Sequence, residues 1–327
     1  MRKRWIVLGA VALAAGAIAL LNAPFWGRPT GELFVLSHRG VHQDYHRENM
    51  NNETCTAERI YPVEHEFIEN TLPSMQAAFD AGADIIEIDV HPTTDGEFAV
   101  FHDWTVDCRT EGEGVTRELT MAYLRTLDLG YGYTADDGQT FPLRGKGVGM
   151  MPTLREVLAA FPGRRFLINF KSNDPDEGDR VLAYIDAIGA AEYERLAFYG
   201  AAPADRVREL RPDLRVTGRR RLMQCAKNYV LTGWFGRIDE TCRNTIVFVP
   251  ANYGWLAWGY PNLFLQRMQA ANTEVMIVGP INRGERLGIG GIDDAEMFTS
   301  VPHDWRGGVV TDRIEIIGPL AEERRAP

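Results

Sequence analysis

The sequence predicts an α/β protein of the (β/α)8 TIM-barrel class, with an apolar helix ahead of the barrel and enlarged loops at its C-terminal face. Three observations carry that prediction. Eight short apolar runs alternate with helical patterns, as parallel strands joined by right-handed crossovers require. No glycine-rich dinucleotide turn follows the first run, which argues against the alternative, a doubly wound open sheet. The polar residues that interrupt the runs fall at their C-terminal ends, where a barrel assembles its functional groups. With 327 residues, 45% of them hydrophobic, the chain can bury one large core. A formal net charge of −10 without a long basic run argues against a nucleic-acid partner.

Taken in order, the chain opens with Met1-Arg2-Lys3-Arg4 and then an uncharged run from Trp5 to Leu21. From Trp5 to Trp26 a helix would reach about 33 Å, enough for a hydrocarbon core of roughly 30 Å. The expected organisation is therefore a cytoplasmic basic tail (1–4), a transmembrane signal-anchor (5–26), a linker (27–32) and a barrel domain (33–327). A cleaved signal peptide is the alternative, with Leu21-Asn22-Ala23 as its nearest cleavage pattern. The basic tail would leave the barrel extracytoplasmic, periplasmic or extracellular, while the apolar run makes the membrane a partner. Four cysteines, Cys55, Cys108, Cys225 and Cys242, suit an oxidising compartment, and no Cys-x-x-Cys spacing suggests zinc. Three pairings are open. Cys55–Cys108 with Cys225–Cys242 would staple one irregular region each; four free buried thiols are the alternative.

The first strand, 33–36, delivers Ser37-His38-Arg39-Gly40. A long polar loop, 41–68, follows with Asn51-Asn52 and with His42, His46 and His65, which read as solvated. Thr71 caps a helix to about Ala81, with Pro73 in its first turn and Met75, Ala78 and Phe79 facing inward. Short strands are expected at 85–90 and, after the Asp95-Gly96 turn, at 98–101. Helices follow at 119–127 and 153–161, and the chain then enters a strand at 166–171. Further strands are expected at 196–199, 214–217, 245–249, 275–278 and 308–311, with helices at 177–189, 203–210, 262–271 and 293–299. Residues 218–262 exceed a minimal barrel and read as an enlarged loop over the mouth, or as a surface insertion with packed aromatics.

The second strand carries the chemistry. Glu87 and Asp89 project to one face of Ile85-Ile86-Glu87-Ile88-Asp89-Val90, with His91 next along. Two carboxylates on an apolar strand need compensation, and a hard divalent cation such as Mg²⁺ or Ca²⁺ supplies it. Solvation or salt bridges are the ordinary alternative. His102, delivered beside the pair by the next strand, is a natural acid or base.

Several ordered motifs resemble the glycerophosphodiester phosphodiesterase family. They are His38-Arg39-Gly40, Glu69-Asn70-Thr71-Leu72, Gly82-Ala83-Asp84, Glu87-Ile88-Asp89-Val90, Thr94-Asp95-Gly96, His102-Asp103, Pro152-Thr153-Leu154 and Gly307 to Arg313. The resemblance implies a barrel enzyme that hydrolyses glycerophosphodiesters, releasing glycerol 3-phosphate and an alcohol such as choline or ethanolamine. It implies His38 and His102 as acid and base, Glu87 and Asp89 as metal ligands, and Arg39 on the phosphate. Two departures stand out. Asn169 replaces the glutamate usual in a Glu-x-Lys pair, so the cation would be held weakly there or recruit another acid, with Glu69 a candidate. Lys171 is kept and could contact phosphate. The second departure is the longer 41–68 loop. The alternatives are a lysophospholipase D- or sphingomyelinase D-like activity near lipid, and a non-catalytic barrel binding anionic lipid. No protein partner is implied.

Overall fold

Runs buried on both faces behave as parallel strands wrapped by helices, and the computed structural model, which describes residues 2–50, 54–190, 192–281 and 290–326, bears this out. The elements in chain order are α1 (Arg2–Leu21), β1 (Phe34–His38), α2 (Leu72–Asp80), β2 (Ile85–Pro92), β3 (Phe98–Val100), α3 (Met121–Leu124) and α4 (Leu154–Ala160). Then come β4 (Arg165–Phe170), α5 (Asp176–Ala187), β5 (Leu196–Tyr199), α6 (Ala202–Leu210), β6 (Arg215–Thr217), α7 (Arg219–Thr232), β7 (Ile246–Pro250) and α8 (Asn262–Gln269). The chain closes with β8 (Glu274–Val278), α9 (Ala295–Thr299), β9 (Gly308–Thr311) and α10 (Ile314–Arg325).

Eight strands pair in the order β6-β5-β4-β2-β1-β9-β8-β7, and β3 adds antiparallel to β2. The barrel is nearly closed. Between β6 and β7, Val216 donates its N–H to the Asn244 carbonyl at 3.2 Å, and the Thr245 hydroxyl donates to the Val216 carbonyl at 2.8 Å. Leu36, Ile85, Leu167, Ala197, Ile246 and Met276 fill the interior, below a mouth lined by polar side chains. A larger apolar layer, including Ile86, Ile88, Ile168, Phe198 and Ile277, seals strands against helices. Burying a side chain of this size contributes about 1.5–3 kcal/mol, so this layer dominates stability.

Local signals hold where they are strong. Thr71 caps α2 by accepting from the Ser74 N–H, and Thr153 with Glu156 forms a reciprocal capping box on α4. Two expectations are corrected, and one helix was not foreseen. The helix at 119–127 shrinks to Met121–Leu124 after a short turn at Thr116–Glu118: Thr120 caps it by accepting from the Tyr123 N–H, and Leu119 and Leu127 reach the same apolar cluster as Met121 and Leu124 from outside the helix. Residues 218–262 are mostly the ordinary crossover into β7, since α7 is a helix of 14 residues tied by Cys225 to Cys242. The last helix, α10, had no sequence signal because Gly318 and Pro319 interrupt it; that glycine lets it close on α2, where a Cβ would meet the Ala81 carbonyl oxygen. In the expected basic tail, Met1 and the side chains of Arg2 and Lys3 lie outside the described residues, as do Asn51 and Asn52.

Both expected disulfides, Cys55–Cys108 and Cys225–Cys242, are present. They close segments of 53 and 17 residues. Chain-entropy arguments give about 4 and about 3 kcal/mol respectively. Equilibrium denaturation of the paired Cys→Ser variants is expected to show losses of that size, larger for Cys55→Ser/Cys108→Ser.

Candidate active site

Parallel strands of a barrel end together, so residues remote in sequence meet at the mouth. His38 ends β1, Glu87 and Asp89 sit in β2, and Asn169 lies opposite Asp89 in register on β4. His102 follows β3, and the Phe101 N–H donates to the Asp89 carbonyl at 3.0 Å, which draws the histidine to the same place. His38 and His102 both contribute to the field at the Asp89 carboxylate.

Asp89 is fully buried and heavily compensated. One oxygen accepts from Asn70 Nδ2 at 3.0 Å and faces Arg39 Nε at 3.2 Å; the other accepts from Asn169 Nδ2 at 3.0 Å and faces Lys171 Nζ at 3.3 Å. Burial alone would raise its proton affinity, but Lys171 and Arg39 hold it well below the ordinary carboxylate range. Glu87 is treated differently. Asn169 donates to one oxygen at 2.8 Å, while the second is buried, has no hydrogen-bond partner among the described residues, and lies 3.8 Å from His38 Nε2. Burial, and then the Asp89 charge, push its proton affinity up. An orphaned carboxylate oxygen beside a second carboxylate fits a hard cation, and Asn169 could turn its carbonyl oxygen to the same point.

Each histidine rests on an aspartate. His38 Nδ1 lies 2.5 Å from Asp312 Oδ1, and His102 Nδ1 lies 2.6 Å from Asp103 Oδ1. Such contacts fix the tautomer that leaves Nε2 toward the cleft. Burial lowers the proton affinity of both imidazoles; for His102, with Arg39 and Lys171 adding to it, the pKa falls to about 4. Asp312 opposes the shift at His38.

The backbone supports this arrangement. Arg39 and Asn70 both adopt left-handed φ of 59°, and the Asn70 N–H donates to the Arg39 carbonyl at 3.0 Å. Gly40 follows at φ 79°, where a Cβ would sit 2.3 Å from Ser74 Oγ. Glu69 is committed to two arginines, with Arg39 Nη1 and Arg109 Nη1 each at 3.1 Å. Burial opposes their effect, yet they hold Glu69 down to about 2. Arg109 in turn donates from Nε to Asp103 at 2.8 Å and from Nη2 to Thr56 Oγ1 at 2.6 Å. Its neighbours Cys108 and Cys55 form the disulfide, so that staple fixes the second layer of the site.

One expectation on the histidines is corrected. His46 is exposed and His65 half-buried, but His42 is 1% exposed, with Nε2 3.4 Å from Asp312 Oδ1. The Val41 N–H donates to the Ser74 carbonyl, which pulls this end of the loop onto the barrel. Burial depresses the His42 imidazole, and the nearby Asp312 carboxylate more than offsets it, leaving its proton affinity raised. His38, His42 and Asp312 offer ligand atoms within 4.8 Å of one another, compact enough to hold a metal ion. His91, expected beside the carboxylates, is buried in β2 with both ring nitrogens unpartnered among the described residues, and burial, then Lys171, push it down to about 3. Arg109, His42 and the role of Asp312 were missed. Asp312 carried a signal, a charged residue at the end of the last strand, whereas Arg109 sat in an irregular loop with none.

Residues 38–207 match the glycerophosphoryl diester phosphodiesterase family. A glycerophosphodiester phosphodiesterase of Caldanaerobacter subterraneus subsp. tengcongensis is 38% identical over 103 residues, 32% of this chain and 39% of that one. The chain thus spans about two fifths of that relative's length. Among solved structures, the glycerophosphodiester phosphodiesterase of Agrobacterium tumefaciens superposes with a TM-score of 0.57 at 21% identity, covering 89% of this chain and 99% of its own. A phosphodiesterase of Oleispira antarctica, in complex with the product sn-glycerol-3-phosphate, gives 0.54 at 17% identity over 89% and 96%. These structural likenesses concern the fold.

The raised proton affinity of Glu87 has a measurable consequence. In metal-free protein, stability from this group is complete below its ordinary value of 4.5 and falls as pH rises through the folded-state value. Glu87→Gln is therefore expected to gain thermal stability over wild type progressively as pH climbs from 4.5 toward 8, measured in chelator. Added Mg²⁺ or Ca²⁺ should narrow the gap. A gap that stayed constant across this range would show that Glu87 is not the strained acid.

Proposed function

The chain belongs to the glycerophosphoryl diester phosphodiesterase family, and on that basis we propose that it is a metal-dependent hydrolase cleaving glycerophosphodiesters to glycerol 3-phosphate and an alcohol. The observation that carries this reading is the placement of two aspartate-supported histidines about one buried carboxylate pair at the barrel mouth.

In this reading Glu87, Asp89 and Asn169 would hold a divalent cation, Mg²⁺ or Ca²⁺. Glu69 would join only by releasing an arginine. When bound, the cation supplies Lewis-acid stabilisation of charge on the phosphoryl oxygens. Arg39 and Lys171 direct their cations to the same oxygens, in a partly desolvated cleft where such contacts are strong. His102, held neutral, takes the proton of the attacking hydroxyl at Nε2, while Arg109 shares the Asp103 charge and keeps that ring oriented. His38 gives a proton to the leaving alkoxide; burial and Arg39 lower its proton affinity, and Asp312 opposes them by stabilising the imidazolium. His42 and Arg47 also face Asp312 and tune that support.

The Arg4–Leu21 stretch is long and apolar enough to cross a membrane and is unburied, which supports an anchor. We assign residues 1–4 to a cytoplasmic tail, 5–26 to the anchor, 27–32 to the linker and 33–327 to an extracytoplasmic catalytic domain, a side on which two disulfides are stable.

A substrate panel of glycerophosphodiesters and lysolipids, run with chelation and metal add-back, tests the activity. His38→Ala and His102→Ala are each expected to lower kcat by about 10²–10⁴-fold. Unchanged turnover in both would remove the acid–base assignment. Preferential cleavage of long-chain lysolipids would favour the lysophospholipase D-like reading, and no turnover on any diester the non-catalytic one. For the anchor, a topology reporter fused after residue 31 should read extracytoplasmic; a cytoplasmic reading would refute it.

A further inference from the structure

α7 is the crossover into β7, and its outer side has no protein partner among the described residues. Met223, Val230 and Leu231 are exposed along one helical face, followed by exposed Trp234 and Phe235. Trp255 and Leu256, in the turn after β7, extend this surface, with Trp255 74% exposed. The two patches are joined where Trp258 Nε1 donates to the Val230 carbonyl at 2.8 Å. A contiguous apolar surface of this kind marks an interaction site.

Three observations say what covers it. The first is the position of the anchor. Asn22, at the end of α1, donates to the Trp234 carbonyl at 2.7 Å and accepts from Arg267 Nη1 at 2.9 Å, so the apolar helix leaves the barrel beside this patch. Phe25 and Trp26, both more than half exposed, stand next to that junction. The second is the path of the linker. A Cβ at Gly27 would lie 2.2 Å from the Asn262 backbone, the Arg28 N–H donates to Gln266 Oε1 at 2.8 Å, and the Thr30 N–H donates to Gln269 Oε1 at 3.0 Å. The linker therefore runs down α8, whose first residues lie at the mouth end of the barrel because they follow β7. The anchor joins the barrel at the level of its catalytic face. The third is composition. From Arg219 to Arg237 the chain holds five arginines and lysines and no acidic residue, and the indoles of Trp234 and Trp255 each donate to a nearby carbonyl. Aromatic rings with a satisfied polar edge, mixed with cations, are what a headgroup region selects.

We propose that the outer face of α7, with residues 233–235 and 254–256, rests on the bilayer that holds the anchor, an anionic phospholipid surface, and so keeps the barrel mouth at the lipid–water interface. The proposal rests on the anchor reading above. Its functional content is access: Arg219, Arg220 and Met223 of α7 also line a cavity of about 830 Å³ at the strand ends, beside Tyr199. Diesters arising at the membrane would enter from that side.

Nitroxide labelling of the full chain in phosphatidylglycerol/phosphatidylcholine vesicles tests this. The native cysteines are paired, so a label attaches to the introduced thiol in Leu231→Cys, Trp255→Cys, Ala12→Cys (anchor) and Gln139→Cys (a solvent-exposed site away from the patch). The labels at 231 and 255 are expected to be reached by dissolved oxygen severalfold more than by a polar nickel complex, relative to 139, and to lose that bias when phosphatidylglycerol is omitted in high salt. If 12 is lipid-shielded while 231 and 255 match 139, the seating is overturned and the anchor stands. If 12 is itself aqueous, the anchor reading fails and the seating with it.

Discussion

The site is governed by the cost of burying two carboxylates side by side. Within a strand sealed on both faces, Glu87 and Asp89 cannot both carry uncompensated charge. The protein divides the problem. It surrounds Asp89 with Arg39, Lys171, Asn70 and Asn169 and leaves Glu87 with one oxygen unanswered. That asymmetry separates a permanently ionised acid from one whose charge depends on what occupies the cleft.

Much of the surrounding architecture follows from holding Arg39. Its left-handed backbone aims the guanidinium between Glu69 and Asp89, and Asn70 mirrors it on the other side. Glu69 passes the load to Arg109, Arg109 to Asp103, and Asp103 to His102. The chain of alternating charges thus runs from the buried Asp89 to His102, and the Cys55–Cys108 link pins its outer end. On the opposite side Asp312 gathers His38, His42 and Arg47. Low local dielectric makes each of these contacts strong and each deletion costly.

Asn169 changes the balance. Its amide bridges Glu87 and Asp89 through a single nitrogen, where an acid would have repelled both. A neutral side chain here keeps the negative charge of this part of the mouth on the two strand carboxylates. The same strand end carries Lys171, which faces Asp89. Both features place the electrostatic centre of the mouth on β2 rather than between β2 and β4.

The sequence by itself determined the barrel, the order of its strands and the residues at their ends, because strand periodicity and the direction of parallel strands are local or topological properties. His38, Glu87, Asp89, His102 and Asn169 were legible for that reason, as were the Thr71 and Thr153 caps. Tertiary structure alone decided which charges meet. His42 looked solvated in a polar loop until the fold laid it against Asp312, and Arg109 had no periodic or capping signal at all. Residues 218–262 read as an enlarged loop or a surface insertion, and not as a crossover helix, because α7 exposes apolar residues on its outer side, which blurs the helical pattern. Long-range pairing and the covering of a surface depend on partners distant in the chain, and no window of sequence contains them.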